Sequence, residues 1–387
     1  MWSVIRRLQG VPIDDGDSHS ETRLERNQRC IMMHEMRPYP RPLDPNIFTR
    51  PYGELEYEKV RMWMLNDNVS RRIQAINHLL ELYVMQRENA IRSLKYGFLE
   101  LLLSTLHHDE EEEMRCKAAD ALALLLREPK ALDLLLAMDD DKGTLRELLG
   151  TLDDPSNEVV VRAMRVLMVC RAAYNAYEAI MRLVRYGLVE RCVRLLMPAG
   201  RADGVAAAGC AGLAGALVVK EAFVKVVRAG GVAAATAVLA APQPDPLAVA
   251  EAADALTLTA AYRLGKTAAV DARTLAALRP HMRDENLRVR TSVTGAVAQL
   301  TIYEPGKRQA VDEDIPAVLL ALLMQEEERD VLVNVVKAIV NIAELPAGRK
   351  QLLVAKERLE FIAEEADEYQ PLTSSVAEAL SQLARKC

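Results

Sequence analysis

Ala118, Ala121, Leu122 and Leu125, in the run AADALALL over residues 118–125, decide how this chain is read. Spacings of three, four and seven residues put all four on one side of a helix. Small residues lead and leucines follow, so one helix backbone can come close to a neighbour while the leucines fill the layer between them. The pattern returns as Ala75-His78-Leu79-Leu82, Ala163-Val166-Leu167-Cys170, Gly209-Gly212-Leu213-Ala216 and Ala252-Ala255-Leu256-Thr259. Val293-Ala296-Val297-Leu300, Val335-Ala338-Ile339-Ile342 and Val376-Ala379-Leu380-Leu383 continue it.

The third residue of each set falls at 79, 122, 167, 213, 256, 297, 339 and 380, in steps of 43, 45, 46, 43, 41, 42 and 41. Such a period matches the armadillo and HEAT arrays at about 40 to 47 residues, not the tetratricopeptide array at about 34. Gly97, Gly143, Gly187 and Gly231 keep the same beat, each just before an apolar helix start, where glycine can make the turn between two helices. Each unit then reads as a long helix, a shorter helix, a glycine turn and a third helix, which is the armadillo arrangement. In the later units Ala272, Asp314 and Lys356 stand near the glycine's place, so a more HEAT-like, two-helix form is expected there. The fold class is all-α, a right-handed armadillo/HEAT-type superhelical solenoid of about seven repeats. An extended N-terminal arm over 1–53 precedes repeats over 54–370, and a capping helix over 371–387, from Leu372 to Ala384, closes the array.

Composition agrees. Of 387 residues, 50% are hydrophobic but only 4% aromatic, so the core must come from Leu, Val, Ala and Met, as helix-on-helix packing allows. A net charge of -6 with scattered Lys and Arg gives no general attraction for phosphate backbones, and nucleic acid is not an expected partner. Cys30, Cys116, Cys170, Cys192, Cys210 and Cys387 have no CxxC spacing; several lie in apolar helical runs, which points to a reducing, intracellular compartment. Arg6 and Arg7 interrupt the start before a signal-like apolar region forms. The stretch Gly204 to Val219, with four glycines, is short of the roughly 20 residues that cross a bilayer; a buried helix is expected, and no membrane.

The arm carries Pro38-Tyr39-Pro40-Arg41-Pro42 with Pro45 and Pro51, which cannot continue a helix. Burying little apolar area by itself, it is expected to lie along another surface, its own solenoid or a partner, with Trp2, Ile5 and Leu8 as an apolar hook.

Chemistry is sparse. His107-His108-Asp109 with Glu110 to Glu113 is metal-like in composition but lacks a second ligand set at defined spacing. Acidic loops recur at Asp153-Asp154, Asp284-Glu285, Glu326-Glu327-Glu328 and Glu364-Glu365, and a solvated acidic edge is expected of them. Gly306-Lys307 has no glycine-rich loop before it, so it does not read as a phosphate-binding loop. No GxSxG, HExxH or kinase set occurs, and no enzyme activity, cofactor, metal or small-molecule substrate is expected. Gly209, Gly212 and Gly215 thin one long helix, marking a bend, a close partner contact or simply a weak unit.

Two columns of the long helices bear on binding. In import adaptors of this fold a Trp stands two residues after the pattern's first position and an Asn six after it. Here the first column reads Asn77, Asp120, Arg165, Ala211, Asp254, Gly295, Lys337 and Glu378. The second reads Glu81, Leu124, Val169, Gly215, Leu258, Gln299, Asn341 and Gln382. With no Trp and only Asn341 matching, a basic-peptide import role is disfavoured. Leu124, Val169, Gly215 and Leu258 instead suggest an apolar strip for a helix or a flat protein surface, with Arg165, Lys337 and Asn341 as polar contacts beside it.

Three parts of the chain carry a family resemblance: Thr49-Arg50-Pro51-Tyr52-Gly53, Arg72-Ile73-Gln74-Ala75-Ile76, and an ending of Ala343-Glu344-Leu345-Pro346-Ala347-Gly348-Arg349-Lys350, Glu368-Tyr369 and Val376-Ala377-Glu378-Ala379-Leu380. In these, and in layout after the arm, the chain resembles the armadillo-repeat radial spoke proteins of motile cilia, the radial spoke head 14 homologue family. The resemblance implies a non-enzymatic subunit of the complex that links outer doublet microtubules to the central pair, with other spoke subunits as partners and the ciliary or flagellar axoneme as its place. The proline-bearing arm and the Ala-rich middle units depart from the vertebrate pattern. The alternative is a cytoplasmic armadillo adaptor of another pathway, such as ubiquitin-ligase substrate binding, although no U-box precedes the repeats.

Overall fold

Helices start in this chain where a polar side chain takes up the free N–H groups of the first turn. Asn68 accepts from the N–H groups of Ser70 and Arg71, Ser156 from Val159, Asp245 from Ala248 and Asn286 from Arg288. Each of these caps opens one of the long helices that carry the repeat. The computed structural model describes residues 55–172, 176–197, 203–365 and 369–385, within the compact unit Thr49–Cys387. The expected arm, with Trp2, Ile5 and Leu8, lies outside the described residues, as do Cys30 and Cys387.

The long helices are α1 (Val69–Met85), α2 (Glu112–Leu125), α3 (Asn157–Val169), α4 (Asp203–Ala216), α5 (Pro246–Thr259), α6 (Leu287–Leu300), α7 (Arg329–Ala343) and α8 (Gln370–Leu383). Each packs directly on the next, making a ladder. Shorter helices fill the intervals, as Pro129–Lys142 and Thr144–Gly150 do between α2 and α3. There is no strand among the described residues. This is an all-α solenoid.

The repeat is phased as its spacing requires. Leu122 and Leu167 are fully buried and Leu256 is 2% exposed. In α8 the equivalent Leu380 is only partly covered. That helix still buries Leu372, Val376, Ala379 and Leu383 and packs on α7.

The turn between the shorter helices needs one residue in the left-handed region, supplied by Gly97, Gly143 and Gly187 at φ 72, 69 and 100°. The expectation fails at the fourth glycine: Gly230 makes the turn at φ 77°, while Gly231 begins the following helix, where a Cβ would stand 2.8 Å from Val226. The later units are not two-helix units either. Arg273 and Asp314 take the left-handed place at φ 54 and 55°, between Arg263–Asp271 and Thr274–Leu278 and between Glu304–Asp312 and Ile315–Gln325. Such a conformation costs a non-glycine residue about 1–3 kcal/mol, and the packing of the flanking helices holds it in place. Only Lys356, at φ -57°, breaks the series.

Candidate protein-binding face

The ladder is joined between units in a way that the acidic loops did not announce. Arg72 pairs with Asp109, Arg115 with Asp154 at 3.0 Å, and Arg290 with Glu326 at 2.8 Å. In each case an arginine seven residues before the central apolar residue of one long helix reaches a carboxylate thirteen residues before that of the next. Arg115 and Arg290 also donate to two carbonyls of the loop before their own helix, Asp109 and Glu110, and Asp284 and Glu285. The side chains of Asp109 and Glu326 are 7% and 6% exposed. The expected solvated acidic edge is therefore corrected: one carboxylate in each of these three loops is a structural staple, while neighbours such as Glu110 and Glu327 remain exposed. Burial opposes ionisation of Glu326, yet hydrogen bonds from Arg290 and the backbone N–H of Glu328 prevail and hold its carboxyl below the usual range.

Asp109 being taken up by Arg72, the His107-His108-Asp109 cluster has lost its carboxylate to packing. No group of three His, Cys, Asp or Glu side chains placed to hold a metal comes together among the described residues. Gly306, the glycine of Gly306-Lys307, has a packing reason: a Cβ there would come within 2.3 Å of the Leu300 carbonyl oxygen. Cys170 and Cys210 are buried, and burial pushes their thiols up to about 12; they are protonated and unreactive at neutral pH.

On the exposed face of the ladder, charged side chains of adjacent helices meet. Lys117 Nζ donates to Asn77 Oδ1 at 2.8 Å. Asp120 receives Arg162 at 3.1 Å and Arg165 at 3.6 Å, with the Arg165 side chain 62% exposed. Farther along, Arg288 reaches Asp254, and Glu251 at 3.6 Å. Burial, then the charge of Asp254, raises the Glu251 carboxyl, and Arg288 opposes them. Lys337 is exposed. Asn341 is partly committed: its amide N–H donates to the Ala298 carbonyl at 2.9 Å and to Thr301 Oγ1 at 3.3 Å.

The apolar strip is present but interrupted. Leu124 and Val169 are half-buried and Leu258 is 42% exposed. Gly215 is buried, since Met168 of α3 lies over it, and a Cβ there would fall 2.2 Å from the Met168 sulfur. Gly212 faces Met164 and Cys192 as closely, at 2.8 and 2.5 Å. Gly209, Gly212 and Gly215 of α4 thus mark a close contact inside the solenoid, not one with a partner. A second apolar row escaped the sequence reading. Val218, Tyr262 and Ile302, just past the ends of α4, α5 and α6, are 50%, 43% and 52% exposed. Its signal was the column five residues after each central apolar residue, where Val218, Ala261 and Ile302 are apolar in the middle units and Arg127 and Glu344 are charged outside them, with Tyr262 one residue past Ala261.

Among the described residues no single helix is long and apolar enough to cross a membrane; one pair, Lys220–Arg228 and Gly231–Leu239, would pass by composition but is bent by 70°.

No family model matches the chain, and no curated protein does. Solved structures do. An engineered protein shares 23% identity over 86% of this chain and 79% of its own, with a TM-score of 0.72. Another engineered protein shares 26% identity over 63% of this chain and 96% of its own, with a TM-score of 0.55. A third structure is described as computationally designed armadillo repeat proteins for modular peptide recognition. It has 21% identity, a TM-score of 0.53 and coverage of 63% of this chain and 99% of its own. The fold is armadillo-type.

Proposed function

We propose that this chain is a non-enzymatic scaffold that holds other proteins on its ladder face, and that it serves as a structural subunit of the radial spoke in the axoneme of cilia or flagella. One observation carries the scaffold reading: the ladder leaves apolar side chains only partly covered on one face, at Leu124, Val169 and Leu258, beside charged groups already paired across helices. Such a face gains from covering apolar area, and the designed armadillo proteins of the same fold, made for peptide recognition, use their repeats to bind. The spoke assignment rests on the resemblance in Arg72–Ile76, now part of α1, in Ala343–Lys350 at the end of α7 and in Val376–Leu380 of α8.

The test is purification of the tagged protein from ciliated cells and identification of what accompanies it. Spoke subunits are expected. Ubiquitin-ligase components in their place would refute the spoke assignment and leave the scaffold standing, whereas a protein that purifies with no partner would refute both.

A further inference from the structure

Lys266 and Lys307 hold the same place in successive units. Each is the fourth residue of its helix, Arg263–Asp271 or Glu304–Asp312. Each follows a glycine that lets its helix press on the end of the preceding long one, where a Cβ would meet the carbonyl oxygen of Thr259 at 2.0 Å or of Leu300 at 2.3 Å. Their surroundings differ in one respect. Lys307 is 8% exposed and forms an ion pair with Glu344, just past the end of α7. Glu344 lies five residues after Ile339, and the residue five after Val297 in the preceding unit is Ile302. Where Lys307 has a carboxylate, Lys266 therefore has an exposed isoleucine.

No ion pair to Lys266 is found among the described residues, and burial alone lowers its ammonium pKa. Near it in the chain are the exposed Tyr262, whose ring meets that of Phe223 at 4.1 Å between centroids, and Thr267, whose hydroxyl donates to Tyr303 at 3.5 Å. The Thr267 hydrogen bond, then that of Arg263 and its charge, lower the Tyr303 pKa against burial and the charge of Asp271. A half-buried ammonium without its counter-ion and an uncovered apolar row are both unfavourable in the isolated protein. One ligand relieves both.

We propose that the edge formed by Val218, Tyr262 and Ile302 with Lys266 is a docking surface for a partner-protein segment that carries a carboxylate flanked by apolar side chains. The carboxylate takes the place that Glu344 fills beside Lys307. The apolar flanks cover the row at the ends of α4, α5 and α6. A lone lysine is only weakly attracted to an anionic membrane surface, so the shape of the row, not charge alone, selects the ligand.

The inference rests on the scaffold reading but concerns a different surface from Leu124 and Val169, so the two can fail separately: Val169→Asp reports on the ladder face, Ile302→Glu on this edge. The probe is a fluorescein-labelled peptide with one Asp flanked by Leu on both sides, with an Asn-substituted twin, titrated against the full chain by fluorescence anisotropy. The acidic peptide should bind about tenfold more tightly than its twin. Ile302→Glu, which supplies Lys266 with an internal carboxylate, should weaken the acidic peptide by about tenfold or more without lowering the melting temperature. Lys266→Met should bind both peptides alike and melt no lower than wild type. Equal affinity for the two peptides, unchanged binding by Ile302→Glu, or a lower melting temperature for Lys266→Met would overturn the proposal. A dimer that Ile302→Glu dissolves, or a peptide of residues 1–53 that competes with the probe, would do the same by naming the chain itself as occupant.

Discussion

The middle of the ladder and its flanks are joined by different physics. At α1, α2 and α6, arginine-to-carboxylate staples tie one unit to the next. In α3, α4 and α5 the arginine's place is taken by Val160, Ala206 and Val249, and α4 comes instead so close to its neighbours that Gly212 and Gly215 have no room for a Cβ. The same repeat can therefore be held by charge or by close packing. At this position of the repeat α4 should answer to changes in volume, and α1, α2 and α6 to changes in charge and pH.

The largest expected effect comes from emptying the middle. Leu167→Ala, at a fully buried site, should cost about 2–5 kcal/mol, read as a shift in the urea midpoint. Overfilling it comes next: Gly215→Val must displace Met168 and should cost about 1–3 kcal/mol. The same substitution at Gly204, where a Cβ meets only Val161 at 3.7 Å, should be far milder. Equal costs at the two sites would erase the contrast between a close-packed and an open face of α4.

On the flank, Arg290→Ala should cost about 1–3 kcal/mol at neutral pH by leaving Glu326 buried without its partner. Since the folded-state pKa of Glu326 lies below its usual value, its contribution is present above the unfolded-state pKa and lost as pH falls through the folded one. The gap between wild type and variant should accordingly close in acid, as thermal melts across that range would show. A gap that persists there would mean that Arg290 acts by packing alone. The smallest effect is expected at Glu251, whose carboxyl is raised by burial and by Asp254. That group favours the folded state below its unfolded-state pKa, and the advantage is lost as pH rises through the folded-state value. Glu251→Gln should therefore leave stability unchanged or raise it by under about 1 kcal/mol at neutral pH; a clear loss in the melt would contradict the assignment.

The period was readable in the sequence because close helix packing restricts which residues can stand at the contact, and Ala121 with Leu122 shows that restriction directly. The turns at Arg273 and Asp314 were not, since a tertiary context can force a left-handed residue that carries no glycine signal. Nor does a run of carboxylates reveal which one is taken: Asp109 and Glu326 sit in acidic loops like their neighbours, and only the arginine of the adjoining unit separates them. At the candidate site, Leu124, Val169 and Leu258 keep apolar surface at the ladder face. Gly215 drops out because Met168, a whole unit earlier in the chain, covers it, and the row at Val218, Tyr262 and Ile302 lay one turn beyond the two columns that were compared.

Whether the chain holds a protein on its ladder face is decided by Val169→Asp in a pull-down from an extract of ciliated cells. Val169 is partly open to solvent, so the variant should fold and melt like wild type by circular dichroism. Its recovery of wild-type partners should fall by about tenfold or more, because an unpaired charge would enter an apolar contact. Equal recovery by two equally folded proteins would contradict the claim and move the binding surface off this face.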